Sequence, residues 1–289
     1  MNTITSKLPR RSFFAMLPAL LTACSAIDLL NATVPTDTYQ ASVGLVYGPE
    51  PRQRLDVYQP RTGAGPAPLV VFFYGGSWSS GERADYRFVG EALASRGIVT
   101  MIADYRLSPE FRYPVFVQDS ARALRWAFDH ATEHGADTDR VFVMGHSAGA
   151  YNAAMLALDS RWLAAEGSTP SRLAGWIGLA GPYDFLPIGD PKTQLAFNWP
   201  DTAPDSQPLA HTSSASPPAL LLAAREDKVV SAQRSTVAMA ERLRASGVRV
   251  ESALYDGVSH VTLLASMASV LRGRAPVLER VSGFVLKAG

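Results

Sequence analysis

A chain of 289 residues, 47% hydrophobic and 18% charged, can bury one large core, and that balance excludes an intrinsically disordered protein. Its 27 basic and 26 acidic residues nearly cancel, and no run of Lys or Arg is present. Nucleic acid is therefore not an expected partner, whereas small uncharged substrates and protein partners both stay open.

The first 23 residues read as an export signal. Lys7, Arg10 and Arg11 form a basic start, and Ser12 to Ala23 an apolar stretch. Twelve residues at ~1.5 Å each reach about 18 Å, too little to cross a hydrocarbon core of ~30 Å. Leu21-Thr22-Ala23-Cys24 resembles the lipobox of bacterial lipoproteins, whose cysteine is acylated and becomes the new N-terminus. Arg10-Arg11-Ser12-Phe13-Phe14 resembles a twin-arginine signal. Cys24 is the one cysteine, so an intramolecular disulfide is ruled out. The expectation is a protein exported to the periplasm or cell envelope and held to membrane only by a lipid on Cys24. Without residues 1–23 the chain carries 24 basic against 26 acidic side chains. Residues 24–40, with Pro35 and several Thr and Asn, read as a tether ahead of a single domain over 41–289.

Within that domain, apolar runs of strand length fall near Val43–Tyr47 and Arg54–Tyr58, then at Pro68–Tyr74, Ile98–Asp104, Arg140–Gly145, Leu173–Ala180, Ala219–Ala224 and Val248–Tyr255. Helical spacing fills the gaps, for example Val117, Ala121, Leu124 and Phe128 within Pro114–His134, and Val237, Ala240 and Leu243 within Ala232–Ser246. Strands alternating with helices predict an α/β, doubly wound, mostly parallel sheet of about eight strands with helices on both faces. The first two strands are expected to extend one edge antiparallel. Residues 186–218 break the rhythm with Pro187, Pro191, Pro200, Pro204, Pro208, Pro217 and Pro218, and read as a short cap over a site.

Strand Arg140–Met144 runs directly into Gly145-His146-Ser147-Ala148-Gly149, and a helix follows. That is the setting of a nucleophile elbow, with Ser147 exposed on a strained turn and a helix N-terminus beside it. Another buried strand ends in Tyr74-Gly75-Gly76-Ser77-Trp78, where glycines let backbone approach a substrate oxygen. The fold's order of serine, acid and then histidine leaves His211 and His260 as bases. His260 follows the last strand, whereas His211 sits in the proline-rich stretch. Asp227 closes the turn after Ala219–Ala224. Glu226, Asp184 and Asp256 are its rivals.

Tyr74-Gly75-Gly76-Ser77-Trp78 resembles the His-Gly-Gly-x-Trp segment of hormone-sensitive-lipase-like and feruloyl-esterase-like carboxylesterases of the α/β-hydrolase superfamily. Asp104-Tyr105-Arg106-Leu107-Ser108-Pro109-Glu110 resembles their Asp-Tyr-Arg-Leu-Ala-Pro-Glu segment, and Arg225-Glu226-Asp227-Lys228-Val229-Val230 their Asp-x-x-Val segment. The resemblance spans about residues 45–285. It implies hydrolysis of small carboxylic esters through an acyl-enzyme on Ser147, with His260 as base and Asp227 as acid. It also implies an oxyanion hole from the amides of Gly76, Ser77 and Ala148. Tyr74 replaces the family's His, which puts the loop geometry in question. Ser77 replaces a glycine, a change that a backbone donor tolerates without strain if its φ is negative. No cofactor or metal is implied. Arylformamidases share the glycine turn and elbow, so formamide cleavage is an alternative, as is a hydrolase fold used only for binding. Trp78, Tyr86, Tyr183, Phe185 and Trp199 are candidates to line a pocket.

Overall fold

The computed structural model describes residues 26–63 and 65–287. The export stretch and Cys24 lie outside them. The strands are β1 (Tyr39–Val46), β2 (Arg54–Pro60), β3 (Ala67–Phe73), β4 (Val99–Ala103), β5 (Ala136–His146), β6 (Leu173–Leu179), β7 (Ala219–Ala224) and β8 (Val250–Tyr255). The helices are α1 (Ala26–Ala32), α2 (Arg87–Ala94), α3 (Val115–His130), α4 (Ala148–Leu158), α5 (Ser160–Ala165), α6 (Pro191–Ala196), α7 (Ala238–Ala245), α8 (His260–Ala265) and α9 (Val277–Lys287).

All eight strands form one sheet in the order β1-β2-β4-β3-β5-β6-β7-β8. The β1–β2 and β2–β4 pairings are antiparallel, and every other pairing is parallel. Strands β4 and β7 are buried at every position and β3 at all but its first residue. Such strands need cover on both faces, and their unbroken Val, Leu, Ile and Phe content follows from that. Helices α3 and α4 pack on each other and on β3 and β5; α2 and α9 pack on each other and on β4 and β7 respectively. The outer strand β1 is exposed or half-buried beyond its first residue, as an edge is.

Three segments depart from the sequence reading. Of the tether expected over 24–40, the described part, from residue 26, is a docked element: α1 starts at Ala26, and β1 takes up the chain at Tyr39. Asn31 fixes α1, donating from Nδ2 to the carbonyls of Ala84 and Asp85 and accepting from Arg87 at its own carbonyl. Ile27, Leu30 and Val34 pack on the core. The helix expected over 114–134 closes at His130 and finishes as a short 3₁₀ turn ahead of Gly135, whose φ of +69° only glycine adopts readily. The helix expected over 232–246 begins as a π-turn, Gln233–Val237, before α7.

Residues 186–218 fold as α6 and two 3₁₀ turns, Pro204–Ser206 and Pro208–His211. Phe197 anchors them. It is buried, with ring centroids 4.8 Å from Trp78, 5.1 Å from Phe185 and 5.4 Å from Phe116. Replacing Phe197 by Ala leaves a cavity inside this aromatic cluster and costs about 3–5 kcal/mol, the range for a buried Phe. Urea unfolding measures it; a loss below about 1 kcal/mol would show that the segment is not anchored there.

Candidate active site

The parallel strands end on one edge of the sheet, and the candidate residues sit there. Strand β5 runs through His146 into Ser147, which adopts φ +54°, ψ −124° and caps α4. A non-glycine residue at positive φ is costly and survives only where its surroundings over-determine it. They do so here. A Cβ on Gly145 would lie 2.1 Å from the carbonyl oxygen of Gly149, and one on Gly149 would lie 2.0 Å from that of Phe73. The Ser147 amide donates to the Leu179 carbonyl at 2.9 Å, tying the turn to β6.

The three side chains singled out for proton transfer come together. Ser147 Oγ lies 2.8 Å from His260 Nε2, and His260 Nδ1 lies 2.7 Å from Asp227 Oδ2. His260 opens α8 behind Ser259, whose side chain and backbone exchange bonds with Thr262 in a capping box. Asp227 also accepts from the amides of Val229 and Val230 at 2.8 and 2.9 Å. Burial pushes the Asp227 carboxyl upward. The hydrogen bond from His260 and those two amides outweigh it and hold the group below the usual carboxylate range. An ionised Asp227 keeps a proton on His260 Nδ1, which leaves Nε2 free to accept from the Ser147 hydroxyl.

The rivals are placed elsewhere. Asp184 pairs with Arg234, Asp256 with Arg225, and Glu226 is exposed. His211 donates from Nε2 to the Asp205 carbonyl.

The glycine turn after β3 is tighter than its sequence suggests. Gly76 has φ +126°, and a Cβ there would meet the Ser80 carbonyl oxygen at 2.2 Å. Ser77 sits at φ +50°, not at the negative value anticipated for a serine, and Trp78 at +54°. Two consecutive left-handed residues carry the chain across the end of the sheet. Buried neighbours hold them: Trp78 donates from Nε1 to Asn152 Oδ1 at 3.0 Å and its ring packs on Phe116 and Phe197. Among the described residues, the amides of Gly76, Ser77 and Ala148 have no protein acceptor.

Tyr74 does the bracing its position requires. Its hydroxyl donates to Asp104 Oδ1 and accepts from Arg52, both at 2.7 Å, and its ring stacks between Tyr86 and Tyr105.

Two cavities meet at Ser147. One, of about 350 Å³, is lined by Ile27, Leu30, Tyr86, Phe88, His260 and Leu264 among others. The other, of about 480 Å³, is lined by Trp78, Ala148, Phe185, Ile188, Asp190 and Lys228 among others. Trp78, Tyr86 and Phe185 thus border the site, whereas Tyr183 and Trp199 line neither cavity. Tyr183 is buried edge-on against Trp176 in the core, and Trp199 is 38% exposed. Among the described residues, no group of three or more His, Cys, Asp or Glu side chains is placed to hold a metal ion.

The sequence reading passed over His146. Its ring lies 4.9 Å from that of His260, and its Nε2 donates to the His260 carbonyl at 2.9 Å. Burial, followed by the neighbouring His260, lowers its pKa to about 3, so it stays neutral. Its place between the elbow glycine and Ser147 was the only available signal.

An eight-stranded, mostly parallel sheet with a strand–turn–helix elbow at its C-terminal edge defines an α/β-hydrolase fold. The BD-FAE family matches residues 55–243, and the chain belongs to that family. A probable isoprenylcysteine alpha-carbonyl methylesterase of Arabidopsis thaliana is 30% identical over 76% of this chain and 50% of its own length. Esterase LipC of Mycobacterium tuberculosis is 29% identical over 70% of this chain and 54% of its own. The chain thus spans about half the length of these curated relatives. Among solved structures, the esterase 2 of Thermogutta terrifontis superposes with a TM-score of 0.71 at 24% identity, covering 88% of this chain and 96% of that one.

The depressed carboxyl of Asp227 carries a pH signature. The unfolded chain binds this proton more readily than the folded one, so its contribution to stability is present above the unfolded value of ~3.9 and is lost as pH falls through the lower folded value. Asp227→Asn removes that contribution. Between roughly pH 6 and pH 3 the variant should therefore lose less stability in urea unfolding than the wild type. Equal losses would show that the carboxylate is not held low.

Proposed function

We propose that the protein is a serine hydrolase cleaving small carboxylic esters. The observation that carries this reading is the unbroken relay Ser147 Oγ–His260 Nε2 and His260 Nδ1–Asp227 Oδ2, at 2.8 and 2.7 Å, beside three backbone amides without protein acceptors. Esterase relatives support the substrate class.

Ser147 Oγ bonds to the ester carbonyl carbon while its proton passes to His260 Nε2. The carbonyl oxygen becomes an oxyanion held by the amides of Gly76, Ser77 and Ala148, with the α4 N-terminus adding positive potential. The carbon–alkoxy bond then breaks, and the alcohol leaves with the proton from His260. Water attacks the acyl-enzyme by the reverse relay and releases the acid. Asp227 stays ionised throughout and stabilises the imidazolium.

Ser147→Ala should keep the fold and lower kcat by ~10⁴–10⁶, the scale seen when a serine hydrolase loses its nucleophile. A residual rate above about one-tenth of wild type, or fluorophosphonate labelling that survives the substitution, would remove Ser147 from this role. His260→Ala should be comparably damaging and His211→Ala nearly silent in the same assay; the opposite ranking would move the base.

Independently, from Leu21-Thr22-Ala23-Cys24 alone, we propose that the protein is held in the cell envelope by a lipid on Cys24. Cys24→Ser should release it from the membrane fraction without loss of hydrolysis, and a wild-type protein found wholly soluble would refute the anchor.

A further inference from the structure

We infer that the site reads apolar bulk on the alcohol side of its ester rather than the acyl side, and that α1 is the wall that does so. This rests on the esterase reading above, and deepens it to a substrate class: esters of apolar aliphatic or aryl alcohols with acids that are short or carry polar substituents.

The argument starts from the proton. When the tetrahedral intermediate collapses, the alkoxy oxygen must take its proton from His260 Nε2, so the alcohol departs on the side that His260 faces. Of the two cavities meeting at Ser147, His260 lines only the one of about 350 Å³. The acyl group, bonded to Ser147 Oγ with its oxygen toward Gly76, Ser77 and Ala148, is left the other cavity, which Ala148 borders.

The two cavities differ in chemistry. Besides His260, the alcohol cavity is walled by Ile27 and Leu30 of α1, Phe88 of α2, and Val261 and Leu264 of α8. Among the described residues, no Asp, Glu, Lys or Arg side chain lines it. The acyl cavity carries Asp190, Thr193 and Lys228 along with Phe185 and Ile188. An aliphatic chain is therefore dehydrated on the His260 side, while an oxygen-bearing substituent can keep polar partners on the other.

The alcohol wall is a fixed part of the fold. Besides the three bonds at Asn31, its Oδ1 accepts from the Phe88 amide at 3.3 Å, and the Thr33 carbonyl accepts from Ser269 at 3.2 Å. Leu30 thus has a defined position, and a larger side chain there reduces the space for the alcohol directly.

The test compares kcat/KM of the full-length protein on two series. One is acetate esters of ethanol, butanol, hexanol and octanol; the other is ethyl esters of the corresponding acids. The wild type should gain roughly fourfold per added methylene along the alcohol series until the cavity is full, and gain little along the acid series. Leu30→Trp should lower hexyl and octyl acetate at least tenfold relative to ethyl acetate, with the ratios along the acid series unchanged. Ile188→Trp, in the other cavity, should do the converse. If Leu30→Trp narrows the acid series, or the wild type gains along the acids and not the alcohols, the assignment is overturned while the esterase reading stands. Absence of both hydrolysis and fluorophosphonate labelling in the wild type would overturn the two together. The Ile188→Trp arm keeps the question decidable should Leu30→Trp fail to fold.

Discussion

The carbonyl oxygen of Phe73 lies where a side chain on residue 149 would begin, 2.0 Å from an ideal Cβ, and much of the site follows from that contact. It brings the end of β3 against the first turn of α4, and so sets the glycine turn beside the elbow. Gly145 meets Gly149 just as closely, which forces the strand to turn sharply and lifts Ser147 out of the sheet at positive φ. A Cβ on Gly75 would in turn lie 2.9 Å from that of Ser147. The amides of Gly76 and Ser77 are brought near the serine because backbone packs on backbone with no side chains between. Three glycines spaced along two segments therefore encode one distance.

The segment Asp104-Tyr105-Arg106 holds that turn from behind. The Asp104 carboxylate accepts from the Tyr74 hydroxyl, the Arg83 amide and the Arg83 guanidinium, and is nearly inaccessible to water. The Tyr105 hydroxyl donates to the Tyr74 carbonyl at 2.8 Å, and Arg106 forks onto Asp119. A buried charge is tolerable only with partners of this kind, and removing one would leave the other uncompensated at a cost of several kcal/mol. Burial raises the pKa of Tyr74 well above its ordinary value, so its hydroxyl keeps its proton as a donor to Asp104. In this network Tyr74 braces the loop through its hydroxyl and its ring.

The centre of the sheet was legible because β3, β4 and β7 are buried on both faces and so written as unbroken apolar runs; β7 matches its expected bounds residue for residue. Ser147, Asp227 and His260 stood out because each follows a strand, in an order the topology allows, and the structure brings their side chains together. What failed to read was direction and short-range docking. Trp199 and Tyr183 are aromatic, yet one turns half to solvent and the other into the core, and residue type does not carry orientation. Ile27, Leu30 and Val34 are spaced by three and four, a helical signal too short to stand against the surrounding Asn, Thr and Pro. The left-handed backbone at Ser77 has no local cause in its sequence; it is imposed by Trp78, whose ring is buried among residues far away in the chain.

Strain then decides where this site can change. Ser77, Trp78, Ser147 and Ala180 all stand at positive φ near the C-terminal edge of the sheet, each at a cost of about 1–3 kcal/mol that surrounding burial must offset. Those offsets overlap. Trp78 packs against Tyr151 of the helix that Ser147 caps, and the Ser147 amide bonds to β6 immediately before Ala180. Loosening one position releases the neighbours, so the centre holds its geometry as a unit. The walls are held differently. Helix α1 rests on the bonds of Asn31 and one apolar face, and residues 186–218 on Phe197 and its ring contacts. A substitution in either wall changes cavity shape while the bonds that fix Ser147 and His260 stay intact. Cavity shape is therefore adjustable at the periphery, over a centre that close backbone packing keeps constant.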